Sequence, residues 1–191
     1  MTDEQVAALI KEFHTPLHVQ RHCKAVSDFA LELGRKFQAH GHRVNLTLLK
    51  HAALLHDIVR IVDFRHFNPE EFPDPYSAED VAFWKTLREK YKGMHHAIAG
   101  AQILEERGFE DVARIVARHG YLQILEGFSS WEEKLLYYAD KRTKHDTTVS
   151  LQERLEDGRR RNAPETIGEM KSAEIDKKVF ALEEEILAAI K

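Results

Sequence analysis

Two adjacent residues, His56 and Asp57, lie inside an apolar run that reads Leu49-Lys50-His51-Ala52-Ala53-Leu54-Leu55-His56-Asp57-Ile58-Val59-Arg60. Burying an imidazole beside a carboxylate is costly unless a partner compensates, and a metal ion is the strongest compensator available. His22, His96, His119 and Asp140 sit in similar apolar company elsewhere along the chain. Four imidazoles and two carboxylates from separate segments read as a metal site assembled between helices. Such donors suit first-row divalent ions (iron, manganese, cobalt, nickel or zinc) better than calcium.

Each residue also has a plainer reading. His22 falls on the stripe Val19, Val26, Phe29, Leu33 and so faces inward, where a lone histidine is often a hydrogen-bonded core residue; His18, one turn earlier, is its obvious substitute. His56 follows Ala52 and Leu55 on the buried face. Asp57 is harder to explain away, because aspartate is almost never fully buried unless paired. His96 precedes the small residues Ala97, Ala99, Gly100 and Ala101, which allow close helix approach; His95 points about 100° away, so one of the two should face inward. His119 ends a helix, where a capping role is the alternative to ligation. Asp140 follows Leu135-Leu136-Tyr137-Tyr138-Ala139.

The elements that must position these groups read as helices. Thr2 to Gln5 is a capping-box pattern for a first short helix. Thr15-Pro16 supplies a cap and a first-turn proline for a second, long helix to about Gln38. Asn45 caps a third, expected to carry His56-Asp57 and fade near Asp63. Residues 63–76, with Pro69, Pro73 and Pro75, read as loop, and Ser77 to Asp80 reopens a helix to about Tyr91. The segment 63–94 is either a lid or a surface excursion. Further helices run from about His95 to Arg107, from there to His119, and from the capping box Ser130 to Glu133 through Asp140. A tail from about Pro164 carries Ile175, Val179, Leu182, Ile186 and Ile190 at helical spacing, a face that packs on the core or on a second chain in a homodimer. Strand signals are nearly absent. The expected fold is all-α, a single domain over 1–191 with a core at about 16–162 and a C-terminal helix at about 165–190.

Composition fits that picture. In 191 residues, 43% are hydrophobic and 31% charged, ordinary proportions for a globular domain. The formal charge of -4 argues against a general nucleic-acid partner. No stretch is apolar enough to span a membrane, and the N-terminus lacks a signal-peptide core. A single cysteine, Cys23, excludes an intrachain disulfide and a Cys-rich zinc site, and agrees with a cytoplasmic location. The excess is in histidine, with twelve.

The ordered set His22, His56-Asp57, His96, His119, Asp140 resembles the HD superfamily of metal-dependent phosphohydrolases. The stretches Leu54-Leu55-His56-Asp57-Ile58, His96 to Gly100-Ala101 and Tyr138-Ala139-Asp140-Lys141 are similar to the family too. The resemblance covers roughly residues 16–162 and implies a compact helical HD-domain bundle with its metal site between helices. It further implies that His22, His56, Asp57 and Asp140 hold one metal ion, and that His96 and His119 add a second with Asp57 bridging. The extra histidines resemble the two-metal branch, which includes symmetrical diadenosine tetraphosphate hydrolases and some cyclic dinucleotide phosphodiesterases. One departure is Val59-Arg60, where many members carry Gly-Lys.

The chemistry follows from the ligands. A metal with an open position lowers the pKa of its water from 15.7 to about 7, and two ions about 3.5–4 Å apart also polarise a phosphoryl oxygen. Cations must then meet the charge that develops at phosphorus. Arg60, one turn after His56, is the first candidate; Lys141 and Arg142 come next, with Lys144 and His145 behind them. Arg159-Arg160-Arg161 reads as a solvated face. The expected activity is hydrolysis of a phosphoester or phosphoanhydride in a nucleotide or related small phosphorylated metabolite, with Asp57 and Arg60 as catalytic residues. The same ligand set with two irons also resembles HD-type oxygenases, and a metal-binding regulatory module is the non-catalytic alternative. No glycine-rich phosphate or dinucleotide motif is present.

Overall fold

Apolar residues recur at helical spacing through most of the chain, and the computed structural model, which describes residues 1–161 and 168–191, is correspondingly helical. The order is α1 (Asp3–Glu12), α2 (Leu17–Ala39), α3 (Leu46–Leu55), a 3₁₀ turn at Arg60–Asp63, another at Pro69–Glu71, α4 (Ala78–Lys90), α5 (His96–Glu106), α6 (Glu110–Ala117), a 3₁₀ turn at Tyr121–Leu125, α7 (Trp131–Lys141), strands β1 (Thr143–Lys144) and β2 (Thr147–Thr148), α8 (Leu151–Arg161) and α9 (Glu169–Ala188). The expected start of the last helix at about 164–165, and the expected core limit at 162, lie outside the described residues.

Caps formed where short polar residues precede apolar periodicity. Thr2 and Gln5 close a capping box on α1, as do Ser77 and Asp80 on α4, and the Asn45 side chain accepts from Leu48 N–H on α3. Two expected caps came out differently. Ser130 caps α7, but the Glu133 carboxylate turns to the backbone N–H and hydroxyl of Ser129 and forms no box. Thr15 does not cap α2; its hydroxyl donates to the Ile58 carbonyl at 2.9 Å, and Pro16 holds the cap position.

Helix α2 packs against α3 and α7, while α5 packs on α6 and α6 on α3. The α2–α3 approach depends on Gly34, where a Cβ would stand 2.7 Å from Leu46 and 3.2 Å from Leu49. Phe37, Leu49, Leu55, Leu104, Ile115, Tyr137 and Tyr138 fill the core between these helices. In α9, Ile175, Val179, Leu182 and Ile186 are buried against the same chain, so its apolar face is satisfied within the molecule. Arg159 of α8 pairs with Asp176 of α9.

The 63–94 excursion is tied down at several points. Trp84 is buried and its indole N–H donates to the His14 carbonyl at 2.7 Å. Arg88 donates to the carbonyls of Ile61 and Phe64, and Arg21 of α2 forms two hydrogen bonds to Asp74. The β1–β2 hairpin and α8 were not expected from sequence. Two-residue strands carry no alternation to read, and α8 offers only Leu151 and Leu155 as buried apolar residues before Gly158 interrupts the pattern. Among the described residues no helix is long and apolar enough to cross a membrane.

Candidate metal centre

The local path of the chain at His56-Asp57 departs from the expected continuous helix. Helix α3 ends at Leu55, and tighter bonds follow, from Ile58 N–H to Leu55, Arg60 N–H to Asp57 and Val62 N–H to Val59. Thr15 holds this turn through Ile58. The physical reason is visible in the outcome. Adjacent residues on an α-helix diverge by about 100°, whereas here His56 Nε2 and Asp57 Oδ2 face one another at 3.8 Å.

Four other elements deliver the remaining donors. His22 comes from α2, His96 from the first turn of α5, His119 from the segment after α6, and Asp140 from the last turn of α7. His22 Nε2 lies 3.2 Å from Asp140 Oδ1 and 4.0 Å from Asp57 Oδ2, and His56 Nε2 is 3.9 Å from Asp140 Oδ1. On the other side, His96 Nε2 is 2.9 Å and His119 Nε2 3.4 Å from Asp57 Oδ1, and the two ring nitrogens are 3.0 Å apart. Asp57 thus presents one oxygen to each side. Donor atoms of His22, His56 and Asp140 lie within 4.8 Å of one another, as do those of His56, Asp57 and His119.

The outer nitrogens show what the inner ones are for. His22 Nδ1 meets the His145 carbonyl at 2.6 Å, His56 Nδ1 the Ala53 carbonyl at 2.8 Å, and His119 Nδ1 the Val116 carbonyl at 2.6 Å. His96 Nδ1 meets Asp63 Oδ2 at 2.7 Å. Each acceptor fixes the ring proton outward, the arrangement that second partners impose on metal-bound histidine. All four Nε2 lone pairs therefore point at one another and at two carboxylates, and His56 Nε2 is buried with no hydrogen-bond partner. A cation in their midst satisfies every one of these groups, so the residues fit divalent metal.

Electrostatics agree. Burial opposes ionisation of Asp57, yet the surrounding histidines, His56 and His96 foremost, hold its carboxyl well below the usual range. Asp140 is likewise held well below despite burial, by Lys141, His22 and His56. Burial takes His56 down to about 4, so its ring is neutral and free to ligate. For His22 and His96 burial also pulls downward, but Asp140 and Asp57 outweigh it and raise both.

The candidate cations divide by direction. Arg60 sits at the rim, with Nε 4.0 Å from Asp57 Oδ2 and its guanidinium on Asp63 and over the Phe64 ring. Lys141 is buried, paired with Asp140 and donating to the His119 carbonyl at 3.3 Å, so it neutralises a candidate ligand and presents no open face. Arg142, expected at phosphate, turns away. Its guanidinium donates to the Tyr138 hydroxyl, the Val149 carbonyl and Glu183 of α9, because it lies one turn after Tyr138 on the side of α7 that meets the C-terminal helix. Lys144 faces Glu153 and Asp157 of α8.

His95 caps α5, its Nδ1 accepting from Ala97 N–H, and leaves the inward position to His96. His18 packs on Phe64 and Phe72, with Asp74 3.7 Å from its Nδ1. Sequence reasoning missed Asp63, treated only as a helix end. Its one signal was a carboxylate one turn beyond Arg60 in an apolar stretch.

The fold and the donor set together define a helical protein built around a histidine–aspartate cluster compatible with a divalent metal ion. The chain belongs to the HD domain family, which it matches over residues 19–177, and the resemblance seen in the sequence is borne out. It is also similar to the uncharacterized protein MJ0778 of Methanocaldococcus jannaschii, with 28% identity over 120 residues, 62% of this chain and 54% of that protein. The chain thus spans about half the length of that curated relative. No solved structure matches it significantly.

Proposed function

We propose that this chain is a metal-dependent phosphohydrolase acting on a phosphoester or phosphoanhydride bond of a small phosphorylated metabolite, with a nucleotide as the favoured class. The observation that carries the reading is the convergence of four Nε2 lone pairs and two carboxylates beside one rim arginine. His22, His56, Asp57 and Asp140 would hold one ion, and Asp57, His96 and His119 a second, as in the two-metal branch. Ions bound there supply Lewis acidity toward a phosphoryl oxygen and acidify water near neutral pH.

The protein's own contributions follow from the geometry. Asp57 offers an oxygen to each half of the centre, so one side chain sets their separation. The outward carbonyls of His145, Ala53 and Val116 keep three rings in the ligating tautomer. Lys141 offsets the buried charge of Asp140. Arg60, a third exposed, is positioned to take a non-bridging phosphate oxygen whose charge grows in the transition state.

The test is product analysis with Mn²⁺- or Fe²⁺-loaded protein on mono-, tri- and cyclic nucleotides and dinucleoside polyphosphates, with Asp57→Ala as the blank. Metal-dependent products absent from the blank support the reading, and the bond cut names the subfamily. A loaded protein that hydrolyses nothing overturns it; oxygen consumption by that protein points to an oxygenase, and its absence to a regulatory module.

A further inference from the structure

We infer that Asp63 is a positioning residue that couples the His96 half of the metal centre to the phosphate-facing Arg60; this rests on the metal-dependent reading above. Asp63 closes the 3₁₀ turn that follows the His56-Asp57 corner, and its two oxygens have separate duties. Oδ2 accepts both from the His96 backbone N–H at 3.0 Å and from the His96 ring at 2.7 Å. Oδ1 takes the Arg60 guanidinium.

These contacts complete a ring of four side chains. Asp57 Oδ1 meets His96 Nε2 at 2.9 Å, His96 meets Asp63, Asp63 meets Arg60, and Arg60 Nε returns to Asp57 Oδ2 at 4.0 Å. Carboxylates alternate in it with an imidazole and a guanidinium.

Two consequences follow for the metal centre. A carboxylate on the far side of an imidazole fixes its tautomer and orientation and strengthens it as a ligand, typically by 10–100-fold in metal affinity. Asp63 also gives Arg60 an acceptor other than His96 Nδ1, which lies 3.3 Å from its Nη1. Without that carboxylate, the guanidinium donates to His96 Nδ1 and moves the ring proton to Nε2, the nitrogen that faces the centre. One carboxylate therefore keeps His96 turned in and Arg60 held back for substrate. Asn can replace the cap on His96 N–H but not the charge that holds Arg60.

The experiment compares parent, Asp63→Asn, and Asp63→Asn combined with Arg60→Ala, by Mn²⁺ titration and by visible absorption of Co²⁺-loaded protein, with thermal melting as the fold control. Asp63→Asn should weaken the ion at the His96–His119 side by about 10–100-fold, change the Co²⁺ bands of that ion alone, and melt near the parent. Removing Arg60 as well should recover part of the lost affinity, since the donor to His96 Nδ1 is gone; a purely structural role predicts no such recovery. Equal weakening of both ions, parent-like binding in Asp63→Asn, or a double variant no better than the single overturns the inference. Parent protein that binds no ion overturns the metal reading itself, before Asp63 enters, and a parent with one ion only overturns the two-ion arrangement on which this coupling depends.

Discussion

The ring nitrogens His96 Nε2 and His119 Nε2 face each other at 3.0 Å although both rings are hydrogen-bonded on their outer side, to Asp63 and to the Val116 carbonyl. Neutral rings so arranged oppose two lone pairs, which costs free energy unless a cation lies between them and the nearby Asp57 oxygen. The same logic holds for His22 and His56 around Asp140.

Metal binding should therefore stabilise the fold. At an ion concentration a hundred times Kd, mass action contributes about 2.7 kcal/mol, which for a chain of this size corresponds to a Tm rise of roughly 5–10 °C. Calorimetry before and after chelation, with re-addition of Mn²⁺, measures it. An unchanged Tm on chelation of metal-replete protein would contradict the site.

Asp57→Asn should abolish turnover with the helices intact, because it preserves volume while removing the charge of the carboxylate shared by both halves. The expected loss is on the order of a hundredfold to a thousandfold or more, read as initial rate alongside circular dichroism. Retained activity would sink the mechanism.

His22 and His18 lie one turn apart on α2 but serve different surroundings. His22→Ala should strip metal affinity and activity, since its Nε2 is 3.2 Å from Asp140. His18→Ala removes packing against Phe72 and should leave metal titration and rate within a few-fold of the parent. The opposite ranking would mean that the wrong turn of the helix faces the ions.

Arg60 and Arg142 make a second contrasting pair. Arg60→Ala should lower activity while metal titration stays unchanged. Arg142→Ala should act on stability, because it removes a tie between α7 and α9 through Glu183; hydrogen bonds to charged groups contribute about 1.5–3 kcal/mol. Urea melts together with kinetics on both variants separate the two roles. Activity loss in Arg142→Ala without loss of stability would return that residue to the phosphate site.

The α4 cap gives a pH signature away from the metal. Burial opposes the charge of Asp80, but bonds from His14 and from Ser77 outweigh it and lower its pKa. A carboxyl lowered in the folded state adds stability above its unfolded value of about 3.9, and loses it as pH falls through the folded value. Asp80→Ala should thus cost about 1 kcal/mol at neutral pH, with the gap to the parent closing in acid. Urea melts at neutral and acidic pH measure it, and a gap that widens in acid would show that the carboxylate is not the stabilising form.

The six metal-site candidates were legible in the sequence because each violates a local rule. Asp57 and Asp140 sit in apolar runs where an unpaired carboxylate is too costly to bury, and His22, His56 and His96 occupy inward positions of helical stripes. Most helix starts were legible for an equally local reason, since a cap binds a backbone N–H two or three residues away. The helix end at Leu55 was not, because it depends on Thr15 reaching Ile58, 43 residues distant.

Asp63 and Arg142 lie on that same divide. Composition and periodicity around residue 63 say only that a helix is ending; its bond to His96 spans 33 residues, and that of Arg142 to Glu183 spans 41. Periodicity tells which side chains must leave water, and hence that charged ones among them need partners. Which partner each receives is decided when distant helices pack, because a charged hydrogen bond forms only between groups brought within about 3 Å.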